Sequence, residues 1–269
     1  MSRRGRPITS PPRIVAIPAV IALLFLGLPI VGLLFRAPWS TLGAVLTSRT
    51  SLDALRLSLV TATAATMVAF VIGVPLAWML ARGEFPGRRL ARALVTVPLV
   101  LPPVVGGIAL LLAFGRRGIV GQYFESCCGV TLAFTAPGVV VAEAFVAMPF
   151  LIITVEGALR VLDARVEEAA ATLGAGRLTI FRRVTLPLLA PALVAGGVLT
   201  FARALGEFGA TITFAGNLPG VTQTLPLAVY VGLEGDPSEA VALSLILLAV
   251  SVGALVLLRD RWLRTGASA

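Results

Sequence analysis

The sequence predicts an all-α integral membrane protein, with six transmembrane helices and both termini in the cytoplasm. Three observations carry this. Hydrophobic residues make up 58% of the chain and charged residues 13%, against about 25% charged in a soluble domain. Polar groups therefore cannot cover a globular surface, and lipid must. The apolar residues gather into segments long enough to cross the hydrocarbon, about 20 residues each. The basic residues, all of them Arg, stand in blocks between those segments.

The expected spans are 14–35, 54–80, 93–114, 137–155, 188–205 and 240–258. The first follows a basic start, MSRRGRP, as a secretory signal would. Its apolar stretch is too long for a signal core and no A-x-A site follows, so it is expected to stay as a span. Orientation follows from the arginines. Arg3, Arg4, Arg6 and Arg13 precede span one. Arg82, Arg88, Arg89 and Arg92 lie between spans two and three. Arg160, Arg165, Arg177, Arg182 and Arg183 lie between four and five, and Arg259, Arg261 and Arg264 follow span six. The opposite connections carry only Arg36, Arg49, Arg116 and Arg117. The rule that basic loops stay inside places the richer side in the cytoplasm. Prolines and glycines interrupt the spans at Pro75, Pro98, Pro102, Pro103, Pro149, Pro191, Gly106, Gly107, Gly196 and Gly197. They fit ordinary membrane-helix packing through small residues, and equally helices that shift against one another.

Composition also excludes function classes. The net charge is +9 and the isoelectric point about 11.4, a balance that usually signals nucleic acid. Here the arginines are parted by apolar spans, so no nucleic-acid surface is expected. His and Lys are absent, which removes the commonest metal ligand and general base. Cys127 and Cys128 are adjacent, giving neither a disulfide framework nor a zinc site; a vicinal disulfide and a pair of free thiols both remain open. No metal site and no catalytic residue is expected. A phosphate loop of the type G-x-x-x-x-G-K-[ST] cannot occur without Lys.

Two stretches remain to be explained. The connection from Glu156 to Pro187 far exceeds the roughly 2–8 residues usual between packed helices. Val166, Ala169, Ala170 and Leu173 fall on one helical face. Gly174 and Gly176 break that helix, and Leu178, Phe181 and Val184 resume an apolar face with Arg182 and Arg183 on the wet side. Pro187 is expected to start the next span. Glu168 is expected at the start of the first piece, where a carboxylate favours the helix dipole. Ala169, Ala170, Ala171, Gly174 and Gly176 leave a smooth knob that can enter a cleft in a partner, or an amphipathic surface helix that rests on headgroups.

The second stretch is RALGEFGATITFAGNLPGVTQTLPLAVY, from Arg203 to Tyr230. Arg203 and Glu207 are four apart, at membrane depth, where an ionisable pair is costly. They read as an ion pair that holds register, or as part of a site. Thr211, Thr213, Thr222 and Thr224 add hydroxyls, and Asn217 with Pro219 and Gly220 signals a turn. Glu143, in span four, is free to pair with Arg203 or to face an aqueous path.

Glu168-Ala169-Ala170, then Gly174, then Val184-x-Leu186-Pro187 resembles the EAA signature of membrane subunits of bacterial ABC importers, with Val184 where the family has Ile. The resemblance covers about 54–258. It implies the type-1 transmembrane domain of those importers, flanked by 1–53 (tail, first helix and external loop) and a cytoplasmic tail, 259–269. It also implies that the segment at about 167–187 is a coupling helix seated in a cytoplasmic ATPase, with Glu168, Ala169, Ala170, Gly174, Leu186 and Pro187 at the contact. Gly206-Glu207-Phe208-Gly209-Ala210-Thr211-Ile212-Thr213-Phe214, Asn217-x-Pro219-Gly220, Thr224-x-Pro226 and Tyr230 resemble the molybdate permeases of that family. Arg203, Glu207, Phe208, Thr211, Thr213 and Asn217 are then the expected lining or gate of the translocation path. The partners implied are a second copy of the chain, an ABC ATPase dimer holding ATP and Mg, and an external oxyanion-binding protein, all at a bacterial inner membrane. No cofactor is expected on the chain itself. Tungstate, nearly the same dianion, and sulfate or thiosulfate are alternative cargoes. An ion-driven secondary transporter is the alternative class, although the two halves show no clear repeat. A membrane-embedded enzyme is disfavoured by the lack of His, Lys and clustered acids or cysteines in the spans.

Overall fold

The structure is a computed structural model and describes residues 13–265; the arginines at 3, 4 and 6 lie outside the described residues. The first helix, α1 (Arg13–Phe35), is apolar on every face, and nothing along its span is buried. A short α2 (Leu42–Thr47) leads to α3 (Arg49–Val68), whose N-terminus is capped by Ser48 Oγ accepting from the Ser51 amide at 3.2 Å. The chain then passes through a π turn, Ala69–Gly73, into α4 (Val74–Arg82), so that Arg49–Arg82 is one continuous span.

The π turn stands just ahead of a proline. Pro75 has no N–H to offer the carbonyl of Val71, four residues back. A second π turn, Phe181–Thr185, also stands just ahead of a proline, and its i to i+5 bond runs from the Leu186 amide back to Phe181 O. In lipid, where no water can take up a freed carbonyl, such local adjustment makes an interior proline tolerable.

The expected continuous helix over 93–114 is not what forms. It is divided into α5 (Arg88–Val100) and α6 (Pro103–Phe114), with Leu101 and Pro102 extended at ψ 134 each. Two successive prolines supply no amide hydrogens, and each forces the residue before it out of helical geometry. Among the described residues five helices are long and apolar enough to cross a membrane: Ile14–Phe35, Arg49–Arg82, Ala136–Val161, Arg177–Leu205 and Pro237–Ala254. The sixth expected span is the interrupted one.

Beyond α7 (Gly121–Cys128) comes α8 (Ala136–Val161), capped by Thr135 Oγ1 accepting from the Gly138 amide at 3.2 Å. The long insert holds α9 (Ala164–Thr172) and α10 (Arg177–Ile180), the two short pieces that the glycines imply. Pro187 does not begin a new helix: α10, the π turn and α11 (Leu186–Leu205) run on as one. The rest is α12 (Gly209–Phe214), α13 (Leu225–Glu234) and α14 (Pro237–Thr265), the last continuing past the expected end at 258.

The centre of the bundle is α8, packed against α3, α4, α5, α11 and α12. Its Val139, Ala142, Ala147, Leu151 and Val155 have no exposed surface. With lipid tails as apolar as leucine, close van der Waals packing and not water exclusion must hold such helices together. Glycine provides it. A Cβ on Gly196 would meet the Leu151 backbone at 3.2 Å, and one on Gly197 would strike the Phe70 ring at 2.7 Å. The tightest approach joins α6 to α12, where a Cβ on Gly107 would lie 1.7 Å from Thr213 Oγ1.

Candidate functional site: a basic end and a buried polar seam

Two regions collect the chain's polar chemistry. The first lies where α4, α5, α8 and the insert meet. The Glu156 carboxylate, nearly buried, accepts from Arg92 Nε at 3.0 Å and Nη2 at 2.7 Å, and from Arg160 Nη2 at 2.7 Å. Arg88 and Arg92 also donate to the last carbonyls of α4: Arg88 Nε to Leu80 O at 2.9 Å, Arg88 Nη2 to Ala81 O at 3.1 Å and Arg92 Nη2 to Leu80 O at 3.3 Å. Carbonyls at a helix C-terminus lack intrahelical donors and carry the negative end of the dipole, so guanidinium groups suit them. The arginines of the second and fourth connections thus share one end of the bundle.

At that end α9 projects. Its N-cap is Asp163, whose carboxylate accepts from the Arg165 amide at 3.0 Å, and Glu167 is the acid of its first turn. Glu168 is therefore not at the helix start as expected but a full turn further on. Glu168 and Ala169 are exposed and Ala170 is half-buried. The α9 C-terminus closes on Gly174, at φ 83, with open space around a would-be Cβ. Positive φ there is the left-handed cap that glycine adopts without strain. Leu186 and Pro187, exposed, stand in the first turn of α11. The expected contact residues thus share one solvent-facing end. Leu173 and Leu178 stand in the open beside them, at 88% and 63% exposure.

The second region is inside. Arg203 Nη2 lies 2.5 Å from Glu207 Oε2, so the expected pair forms, although α11 ends at Leu205 and Glu207 lies beyond it. This is charge contact rather than an aligned hydrogen bond, because Oε2 has no donor in hydrogen-bonding geometry. Glu207 Oε1 accepts from the Ala210 amide at 2.8 Å, in the first turn of α12. Arg203 thus takes Glu207 and not Glu143 as its partner. Glu143, 1% exposed, accepts instead from Thr61 Oγ1 at 3.0 Å, which ties α8 to α3. Ser58, one turn before Thr61, accepts from the Leu225 amide at 2.7 Å and joins α3 to α13.

The remaining expected residues divide. Thr211 is fully buried, and its Oγ1 has no hydrogen-bond partner among the described residues; nor do Thr200 Oγ1, Thr224 Oγ1, Asn217 Oδ1 and Glu143 Oε2. Thr213 is occupied: its hydroxyl donates back to Gly209 O at 2.8 Å. Phe208 packs on Tyr230 with ring centroids 5.2 Å apart. Buried polar atoms nearly always find partners, so a run of unpartnered ones on α8, α11, α12 and the segment before α13 marks a polar seam. Among the described residues no three Cys, Asp or Glu side chains gather as metal ligands. Cys127 and Cys128 are free, exposed thiols with Sγ atoms 2.8 Å apart. The Cys127 hydrogen bond, with a little desolvation, raises the pKa of Cys128.

Sequence reasoning missed Ser58, Thr61, Arg82, Glu156, Glu167 and Thr185. Ser58 and Thr61 sit one turn apart within an apolar span, a signal that was there to read. The other four gain their meaning only from contacts between distant elements.

Residues 73–265 match the family described as binding-protein-dependent transport system inner membrane component. The chain is 51% identical to the molybdenum transport system permease protein ModB of Mycobacterium tuberculosis over 94% of both chains. It is 40% identical to the sulfate transport system permease protein CysT of Salmonella typhimurium, over 81% of this chain and 79% of that one. The fold resembles the crystal structure of a bacterial ABC transporter involved in the import of the acidic polysaccharide alginate, with a TM-score of 0.74 at 19% identity over 94% of each chain.

Proposed function

We propose, from the premise that this chain belongs to the binding-protein-dependent transport system inner membrane components, that it is the permease subunit of an ATP-driven importer of molybdate. It is a multi-pass inner membrane protein and a component of transport rather than an enzyme. The observation that carries the cargo is the 51% identity to a molybdenum permease over nearly the whole chain, against 40% over a smaller share for a sulfate permease.

The division of labour follows from the two regions. The exposed end formed by α9, Gly174 and the start of α11 meets a separate cytoplasmic ATPase, which holds ATP and Mg. Glu168, Ala169, Ala170, Gly174, Leu186 and Pro187 form that contact. Two copies of the chain enclose the path, and an external binding protein delivers the oxyanion. A dianion left unpaired in a low-dielectric interior costs many kcal/mol, so the path must offer polar groups without holding the ion tightly. Arg203, Phe208, Thr213 and Asn217 keep partly exposed surface on the single chain and support a path of that kind, while Thr211, Thr200 and Thr224, buried and without hydrogen-bond partners among the described residues, stand behind it. Arg203 has its charge balanced by Glu207, and an Arg so paired attracts a dianion without trapping it.

The test is uptake of labelled molybdate, tungstate and sulfate by a deletion strain complemented with this chain. Molybdate uptake that needs the ATPase and is not outcompeted by sulfate is the expected result. Sulfate uptake at equal or higher rate rejects the cargo, and uptake without the ATPase rejects the class.

A further inference from the structure

We propose that Glu167 is a positioning residue of the transport cycle, the pin through which movement of α9 enters two spans at once: α4 through Arg82 and α11 through Thr185. The inference rests on reading α9 as the ATPase contact, and it names how that contact reaches the bundle.

The geometry is a three-membered junction. Thr185 Oγ1 donates to Glu167 Oε1 at 2.8 Å, and Arg82 Nη2 lies 3.8 Å from the same oxygen. Thr185 is 1% exposed and closes the π turn that feeds α11. Arg82 is the last residue of α4, and its Nε and Nη2 are buried without a hydrogen-bond partner among the described residues. The Glu167 carboxylate is thus the charge that balances a partly buried guanidinium, and its loss leaves that charge uncompensated.

Beyond its short link to α8 through Leu162 and Asp163, little else grips α9. None of its described residues is buried, and its main neighbours are α10 and the π turn. Its exit runs through Gly174 and Gly176, neither of which packs a neighbour where a Cβ would stand. By contrast, the points that Glu167 holds are stiff. Trp78 of α4 packs edge-on against Phe181 of the π turn, with centroids 5.5 Å apart, so the receiving ends of α4 and α11 touch. Arg88 and Arg92 fasten the end of α4 to α5, and Glu156 fastens α5 to α8. A pull on Glu167 therefore enters a clamped set of helices and not a loose end. A π turn at the junction supplies a helix segment with an alternative bonding register.

The bland alternative is that Glu167 merely favours the start of α9 through the helix dipole. A charge swap separates the two. The experiment uses the full complex, with ATPase and external binding protein, in proteoliposomes, and reads molybdate taken up per ATP hydrolysed. Glu167→Ala and Arg82→Glu are each expected to lower that ratio about tenfold, the scale of a coupling-network residue, while the ATPase still copurifies. Glu167→Gln, which keeps an acceptor for Thr185 without the charge, is expected to fall between. The double variant Arg82→Glu/Glu167→Arg restores the charge pair but not the acceptor for Thr185, and is expected to recover part of the ratio over either single variant, which a dipole effect cannot do. An unchanged ratio in Glu167→Ala, a swap no better than the single variants, or loss of copurifying ATPase overturns the inference. Wild-type uptake without ATP hydrolysis instead overturns the ATP-driven reading, before any variant is compared.

Discussion

At the scale of single residues, partnership decides which substitutions matter. Glu207 is 1% exposed and has Arg203 as its countercharge. Arg203→Ala is expected to destabilise the fold by about 3–5 kcal/mol, because it strands a buried carboxylate. Arg203→Ala/Glu207→Gln is expected to recover part of that loss, and thermal unfolding in detergent reads both. Gly107→Ala pushes a methyl into Thr213 Oγ1 and toward Ala210 O, and a cost of about 1–3 kcal/mol is expected from such overpacking. The Arg203–Glu207 pair was legible in the sequence because local spacing encodes it. The Thr61–Glu143 bond was not, since 82 residues separate its ends and only the fold brings them together. Glu168, assigned to a helix start from its neighbours' pattern, was displaced by Asp163, a stronger cap one turn earlier.

At the scale of elements, most helices were legible and their interruptions were not. Apolar runs of sufficient length announced α1, α3 with α4, α8, α11 and α14. Hydropathy is blind to backbone donors, however, and it ran across Pro102 and Pro103 as though the helix were whole. The π turns were equally silent, since each adds a residue of register without changing composition. In the insert, glycine chemistry was read correctly, and it yields a paired prediction. Gly174 has φ 83 whereas Gly176 is extended at φ −69, and both have open space for a Cβ. Gly174→Ala is expected to cost about 1–2 kcal/mol of local backbone strain, visible as faster hydrogen exchange across α9 and weaker ATPase capture. Gly176→Ala is expected to leave both measurements near wild type.

At the scale of the whole molecule, the expectation is sidedness. The orientation expected from the arginine blocks, both termini inside, turns α7 outward and the insert inward. A membrane-impermeant maleimide added to intact spheroplasts is expected to label Cys127 and Cys128. In a Cys127→Ser/Cys128→Ser background, Leu178→Cys is expected to react only after the membrane is opened. The thiolate is the reacting form, and Cys128 has a raised pKa, so its labelling is expected to be slow at neutral pH and to quicken as pH climbs. Labelling of Leu178→Cys from outside reverses the orientation. The divided span carries a consequence at this scale. Because Pro102 and Pro103 lack amide hydrogens, the carbonyls of Pro98 and Leu99 have no helical donor four residues on. A bilayer tolerates such oxygens only where protein or a water-filled cavity covers them, so leakage through the bundle is expected to begin beside α6. Damage there should announce itself as a trickle of protons or small ions through cells that still make the full-length protein.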